Sequence, residues 1–319
     1  MGIKRYIAKR VLQAIIVVYI VATAVFVAVR SVPGDPARLV LGGTAEPDAL
    51  AAVRAALGLN QPLHIQYLRW MSDLVTAASG TSIYTGEAVL SRILGAAEPT
   101  LSIGLIGIII ALFISIPAGI ISATRRSQWE DHVATGIAFL GISMPSFWIG
   151  IVLLLTVGTA IPSIPSYGYA PINEGLLSWL SHIILPGLAV GLPYAGILTR
   201  MTRSSMLEVL NQDYMQTARA KGLSPRLVLL KHGLQNALLP VVTIAGILFA
   251  LLLAGIVAVE IVFGIQGFGR LLIRSIERQD FPLVQGSVIV ISIIFVFMNL
   301  FIDLVYMSIN PKIRYGSDT

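Results

Sequence analysis

Six long apolar runs, each almost free of charge, alternate with polar stretches along this chain. They cover residues 11–29, 100–122, 133–160, 182–198, 237–259 and 283–306. Because a helix crosses the hydrocarbon of a bilayer with about 20 apolar residues, each run predicts one membrane-spanning helix. The third run is longer than one crossing requires and the fourth is barely long enough, so the ends of both stay open.

Composition supports this interpretation. Of the 319 residues, 56% are hydrophobic and 12% are charged, whereas about a quarter of the residues in a soluble domain are charged. The mean hydropathy of +0.84 excludes a disordered chain. The absence of cysteine removes disulfides, thiolate metal sites and cysteine nucleophiles. The sequence therefore predicts an all-α, polytopic membrane protein with six spans.

The distribution of cations predicts the orientation of the chain. Lys4, Arg5, Lys9 and Arg10 precede the first run, as in a signal peptide, but the run is too long for one and predicts a retained span. With both termini in the cytoplasm, the inside segments 1–10, 123–132, 199–236 and 307–319 hold 14 of the 22 Lys and Arg residues. The net charge of +6 then follows from the positive-inside rule and does not indicate nucleic-acid binding.

The largest polar segment, residues 30–99, is predicted to lie on the outer side of the cell membrane. It separates the N-terminus and first span, 1–29, from the remaining membrane domain, 100–319. A turn cluster, Pro33-Gly34-Asp35-Pro36, ends the first helix. Glu46-Pro47-Asp48 begins a short amphipathic helix that extends through Leu57 and stops at Gly58, and a second helix covers 65–75.

The inside segment 199–236 carries the signals of two short helices joined by a fixed break. Asp213 can cap a helix that extends through Lys221, and Gly222 can end it. Ser224 can cap the next helix, with Pro225 at its first position. These signals predict a structured, basic surface facing the cytosol. A solvated loop that only follows the positive-inside rule is the alternative.

Motifs for catalysis or cofactor binding are absent from the sequence. No stretch matches the phosphate-binding pattern G-x-x-x-x-G-K-[ST], so we expect no ATP in a P-loop of this chain. The four histidines have no paired spacing, which predicts no metal site. We therefore expect a chain that binds no cofactor and is not itself an enzyme.

Ser143 is the one candidate nucleophile, because Gly141-Ile142-Ser143-Met144 fits the loose pattern of intramembrane serine proteases. Its candidate base, His182, begins the fourth run at the opposite face, whereas Ser143 lies roughly 15 Å deep in the membrane. The other interpretation is that Ser143 and Ser146 flank a helix break at Pro145. Such a break suits either a pathway lining or a purely structural kink.

Two acidic residues and two glycines lie within the predicted spans. Glu260 and Asp303 are either functional intramembrane charges or groups that snorkel or pair structurally near the span ends. Gly187 and Gly191 form G-x-x-x-G, which predicts a surface for close packing of another helix.

Several stretches of this sequence resemble the permease subunits of bacterial ABC importers, in the family of oligopeptide, dipeptide, nickel and glutathione permeases. The resemblance is strongest in 213–223, DYMQTARAKGL, and in 231–240, KHGLQNALLP. Further matches are PGDPA at 33–37, LGLNQPL at 57–63, QY at 66–67, SMPSF at 143–147, EIVF at 260–263, DFPLVQG at 280–286 and NPKIR at 310–314.

Three departures from the family pattern stand out. Gln216-Thr217-Ala218 replaces the first three positions of the coupling motif E-A-A-x-x-x-G, a variation usual in this branch. The stretch Ser79-Gly80-Thr81-Ser82 keeps only a remnant of G-D-x-G-x-S, and Gln266 stands where the family often has proline. The last two departures concern docking on the outer face.

The resemblance implies the fold of a type I importer permease in the bacterial cytoplasmic membrane. It also implies a second permease subunit, two ATPase subunits that hold ATP and Mg²⁺, and an external solute-binding protein. Peptides are the expected substrate, with nickel, glutathione or oligosaccharide as alternatives, and a channel or scaffold without ATPases as another class. ATPase coupling is expected from a set of residues in the inside segment: Asp213, Thr217, Ala218, Arg219, Ala220, Lys221 and Gly222. The expected pathway residues are Ser143, Pro145, Ser146, Phe147 and Asn299.

Overall fold

A computed structural model describes residues 3–31, 35–41, 46–56, 58–76 and 80–309, and the described chain is almost entirely helical. Its α-helices are α1 (Ile3–Ser31), α2 (Pro36–Leu41), α3 (Pro47–Ala56), α4 (Leu63–Val75), α5 (Val89–Thr124), α6 (Trp129–Ser143), α7 (Ser146–Leu153), α8 (Leu176–Leu210), α9 (Asp213–Ala220), α10 (Pro225–Leu227), α11 (Gln235–Val262), α12 (Phe268–Glu277) and α13 (Phe281–Ile309). The predictions for Pro33, Gly34, Leu57, Ser79, the Asp303 side chain and residues 310–319 fall outside the described residues.

The described part of the chain contains five helices that are long and apolar enough to cross a membrane, or six if α6 and α7 form one bent span. The predicted fold class is therefore confirmed. The third run, 133–160, contains the helix break predicted at Pro145, where α6 and the helical stretch Ser146–Gly158 meet at 103°. Met144 is extended at the break, since the following Pro145 disfavours helical backbone in the preceding residue.

Other helices extend well past the apolar runs that predicted them. Helix α5 begins at Val89, and α8 covers Leu176–Leu210 where the run covered only 182–198. Hydropathy detects only the part of a helix that lipid would surround, and a helix can continue into water or into protein. The polar flanks of both helices were for this reason left out of the predicted spans.

One compact unit consists mainly of Glu98–Gly269. In it, α8 packs against α6, α7 and α11 around a core that includes Leu185, Val190, Leu252 and Ile256. A Cβ added to Gly191 would lie 2.5 Å from the carbonyl oxygen of Gly107 on α5. The backbones of α5 and α8 are thus in direct contact there, which confirms the packing surface predicted from G-x-x-x-G.

The second unit comprises Tyr6–Ala97 and Arg270–Val296. Helices α3 and α4 match the two helices predicted in segment 30–99, and Gly58 adopts φ +66° after the first of them. The rings of Phe26, Tyr67 and Trp70 pack together between α1 and α4, with centroids 5.2 to 6.5 Å apart. These aromatic contacts hold α4 against the end of α1.

Candidate coupling surface and membrane pathway

The predicted helix–glycine–helix segment is present, with a different construction. Helix α9 ends before Gly222, whose φ of +76° is a left-handed conformation that favours glycine. Asp213 is the first helical residue and not the cap, which is Gln212, so that detail of the prediction is wrong. Ser224 and Pro225 begin the next helix as predicted. The second helix is not separate, because α10 continues through a π-helical stretch, Val228–Leu234, into α11.

Burial divides α9 into an inner and an outer face. Met215 is fully buried and Ala218 is 8% exposed, and both pack with Val228 in a small apolar core. Partly buried Val209 and Leu210 from the end of α8 pack against this core. The remaining expected coupling residues are all exposed: Asp213, Thr217, Arg219, Ala220, Lys221 and Gly222. Ala218 therefore anchors the segment, and the other six form its outer surface.

The outer surface is basic, with Asp213 as the acid among its residues. Arg219, Lys221 and Arg226 are exposed, and none of them forms an ion pair with another described residue. The Asn236 side chain donates a hydrogen bond of 3.3 Å to the Tyr214 hydroxyl, which joins α9 to α11. We define these six residues, 213, 217 and 219–222, together with Arg226 as the coupling surface. Its free guanidinium and ammonium groups can pair with acidic groups of another protein.

A buried ion pair near the coupling surface was not found from the sequence. Arg203 on α8 donates two hydrogen bonds to Asp131 at the start of α6, at 2.7 and 2.8 Å. The Ser127 amide and the Ser122 hydroxyl donate to the same carboxylate, which is 4% exposed. The pair ties the α5–α6 loop to α8. The two residues are 72 positions apart, and no sequence pattern connects them.

The expected pathway residues lie at and around the break between α6 and α7. Ser143, Pro145 and Phe147 are exposed, and Ser146 is half-buried. The Ser143 hydroxyl donates to the Phe139 carbonyl at 2.8 Å, within its own helix. Pro145 has no N–H to donate to the Gly141 carbonyl, four residues before it, and the Ser143 hydroxyl does not replace that donor. Asn299 lies at an exposed position of α13.

His182, the candidate protease base, is also engaged within its own helix. Its Nδ1 lies 2.8 Å from the Ser178 carbonyl oxygen, so His182 interacts with Ser178 and not with Ser143. The described residues contain no group of three His, Asp or Glu side chains placed to hold a metal ion.

Glu260 does not snorkel to an interface, so that alternative is wrong. Its side chain is fully buried, and the Thr100 hydroxyl donates to its Oε1 at 2.5 Å. The Phe268 amide donates to Thr100 Oγ1 at 2.8 Å. A Cβ on Gly267 would lie only 2.1 Å from Glu260 Oε1. Through Thr100, Glu260 links α5 to the connection between α11 and α12.

Comparisons with known proteins find membrane components of transport systems that are similar to this chain. The family model described as "Binding-protein-dependent transport system inner membrane component" matches residues 115–315, and the N-terminal model of such systems matches 3–103. The "Probable peptide ABC transporter permease protein y4tP" of Sinorhizobium fredii is 38% identical over 97% of this chain and 99% of its own length. The glutathione transport system permease protein GsiC of Salmonella paratyphi A is 41% identical with the same coverage.

Solved structures show a similar fold. The MetNI methionine ABC transporter in an inward-facing conformation matches with a TM-score of 0.55 and 17% identity, over 69% of this chain and 97% of that chain. An amino acid ABC transporter with histidines matches with a TM-score of 0.52 and 12% identity, over 69% of this chain and 94% of that chain. At these identities the matches concern the fold alone.

Proposed function

Since the chain belongs to the family of binding-protein-dependent transport system inner membrane components, we propose that it works as one half of a translocation channel whose ATPases are separate subunits. The chain is a multi-pass inner-membrane permease subunit of an ABC importer. In the proposal, two ATPase subunits bind and hydrolyse ATP with Mg²⁺. A second, related permease completes the channel, and an external binding protein delivers the substrate.

The observation that carries the proposal is the coupling surface. A short helix, a left-handed glycine and a second helix present unpaired cations outward, while Met215, Ala218 and Val228 anchor them. Because α10 continues into α11, a push on this surface displaces a membrane helix directly. The Asp131–Arg203 pair ties α8 to the neighbouring loop, so the displacement also reaches α6.

The direct test is a charge reversal on the coupling surface. Arg219→Glu and Gly222→Leu are expected to reduce both copurification of the ATPase subunits and ATP-driven uptake. Arg126→Glu is the matched control, because Arg126 is exposed and lies in another segment predicted to be cytoplasmic. The proposal fails if both coupling variants transport and copurify as the control does.

We propose dipeptides or oligopeptides as the substrate, on the basis of the Sinorhizobium relative. Glutathione is the second candidate, because the named glutathione permease matches with comparable identity. Nickel and oligosaccharides remain within the range of the family resemblance. Uptake of labelled peptide and of labelled glutathione, measured with the cognate binding protein, separates the two main candidates.

The pathway and the topology belong to the same proposal. Ser143, Pro145, Ser146, Phe147 and Asn299 are proposed to line the pathway, with both chain termini in the cytoplasm and residues 30–99 outside. The chain contains no native cysteine, so single cysteines at Ser143 and Asn299 can be tested with aqueous thiol reagents. Residues that stay unlabelled in every state of the transport cycle do not line the pathway.

A further inference from the structure

A polar cavity of about 320 Å³ lies within the second unit. Five chain segments line it: the end of α1, the end of α3 with the turn that follows, helix α4, the segment at Gly80 and the first turns of α13. Its polar lining consists of three glutamines, two arginines and one aspartate, namely Gln61, Gln66, Gln285, Arg30, Arg69 and Asp73. The transport proposal gives this cavity no role.

The three glutamines have unused hydrogen-bonding capacity. The side-chain oxygens of Gln61 and Gln66 are buried and have no partner. The orientation of Gln66 is fixed, because its Nε2 donates to the carbonyls of Gln61 and Leu59 at 2.7 and 3.3 Å. Gln285 is 8% exposed, and its side chain forms no hydrogen bond with the rest of the described chain. Buried polar groups are nearly always paired, so the two buried unpaired oxygens of Gln61 and Gln66, beside this third amide, indicate a bound polar molecule.

The charged groups of the cavity are also unpaired. Arg30, Arg69 and Asp73 are exposed at the mouth of the cavity. None of the three forms an ion pair with any residue in the described ranges, although Arg69 and Asp73 are one helical turn apart on α4. The guanidinium of Arg30 is held over the Phe26 ring, 5.6 Å from its centroid. Nη1 of Arg69 and Oε1 of Gln61 lie 3.6 and 4.0 Å from the position that a Cβ on Gly58 would take. The cavity thus offers two guanidinium groups and one carboxylate.

An aromatic wall gives the cavity an apolar side. Trp70 lines it, and Trp70 packs on Phe26 with ring centroids 5.5 Å apart. A ligand that meets all of these groups has a carboxylate, a group that donates hydrogen bonds, preferably cationic, and a short apolar body. A guanidinium pairs well with a carboxylate, and the excess of cations over acids in the lining favours a ligand that carries one.

We infer that this cavity binds a small zwitterion with a carboxylate, of the size of an amino acid or a short peptide. Arg30 and Arg69 hold the carboxylate of the ligand. Asp73 and the oxygens of Gln61 and Gln66 receive its ammonium group, and Gln285 bonds its amide. The inference does not rest on the proposed transport function, because it concerns equilibrium binding to one unit of this chain.

The experiment measures binding of alanylalanine to the full chain, in the membrane complex that contains it, by titration calorimetry in lipid nanodiscs without ATP or binding protein. N-acetyl-alanylalanine lacks the ammonium group, and alanylalanine amide lacks the carboxylate. We expect saturable binding of alanylalanine and at least about tenfold weaker binding of either blocked peptide. Because no transport is measured, loss of the transport proposal leaves this result interpretable.

Variants assign the binding to this cavity. Arg69→Gln is expected to weaken alanylalanine binding at least about tenfold and to remove the preference over the amide. Asp73→Asn is expected to remove the preference over the acetylated peptide. Arg38→Gln and Asp48→Asn are matched controls, since both residues are exposed in the same unit and neither lines the cavity. Absence of saturable binding to the wild type overturns the inference. Equal binding by Arg69→Gln and its control Arg38→Gln, when both variants keep the thermal midpoint of the wild type, also overturns it.

Discussion

Replacement of Gly191 by alanine tests the packing of the membrane helices. The added Cβ would lie 2.5 Å from the Gly107 carbonyl oxygen and 3.3 Å from the carbon that bears it. An ordinary contact begins near 3.4 Å, so α5 and α8 must separate by about 0.9 Å at this point. Overpacking of this kind costs about 1–3 kcal/mol, against a gain of up to about 1 kcal/mol from replacing a helical glycine by alanine.

The expected result is a net loss of stability. Gly191→Ala should lower the thermal midpoint of the protein purified in nanodiscs. Gly136→Ala is the matched control, because a Cβ there meets nothing within 4 Å. Gly136→Ala gains only the higher helix propensity of alanine, so it should be as stable as the wild type or more stable. The reasoning is refuted if Gly191→Ala is as stable as the wild type, or if the control is equally destabilised.

Gly187 provides an internal check on the same interface. A Cβ on Gly187 would lie 2.5 Å from Ile106 Cγ2, a side-chain atom that truncation can remove. Ile106→Ala should therefore relieve part of the loss caused by Gly187→Ala. It should not relieve the loss caused by Gly191→Ala, where the obstacle is backbone. Equal relief in both double variants would contradict the assigned contacts.

Three further predictions concern charged groups. Asp131→Ala leaves the half-buried Arg203 without its partner and should destabilise the protein by about 3 kcal/mol, measured by thermal or denaturant unfolding; a neutral effect would contradict the pairing. Glu260→Leu removes the buried acceptor and should lower the yield of folded protein more than the near-isosteric Glu260→Gln, as fluorescence-detected gel filtration would show. Hydrogen bonds donated by Arg54 lower the pKa of Asp35. A lowered pKa in the folded state stabilises the protein at pH values above the unfolded pKa of about 3.9. The difference in thermal midpoint between wild type and Arg54→Gln should therefore shrink as the pH falls below about 4. A difference that grew would contradict the assigned pairing.

Much of the fold follows from local pattern. Apolar runs long enough to cross lipid coincide with each helix of the described residues that is long and apolar enough to span a membrane. Glu46-Pro47 and Gly58 correctly bound the first helix of segment 30–99. The helix ends were missed where polar residues continue a helix beyond the lipid, as in α5 from Val89. Pro145 indicates a break in the third run, but the 103° angle depends on packing against α8 and α11, which no local signal records.

The candidate site, like the fold, was predicted where local sequence patterns determine it and missed where distant residues do. Glycine and capping patterns place the turn at Gly222 and the helices around it. The burial of Ala218 against Val228 was missed, because it depends on how the π-helical stretch Val228–Leu234 packs against α9. The Asp131–Arg203 pair and the polar cavity were missed for a related reason: each joins residues from distant parts of the chain, and a single sequence gives no record of such contacts.

The most direct test of the central claim is thiol labelling of the coupling surface with and without the ATPase subunits. The chain has no native cysteine, so Ala220→Cys on the exposed face and Ala218→Cys on the buried face can be compared without background. The account predicts that Ala220→Cys reacts with an aqueous maleimide in the absence of the ATPases and is protected when they are bound, whereas Ala218→Cys reacts slowly in both cases. Equal reactivity of Ala220→Cys in both cases would contradict the claim that this surface receives the ATPases.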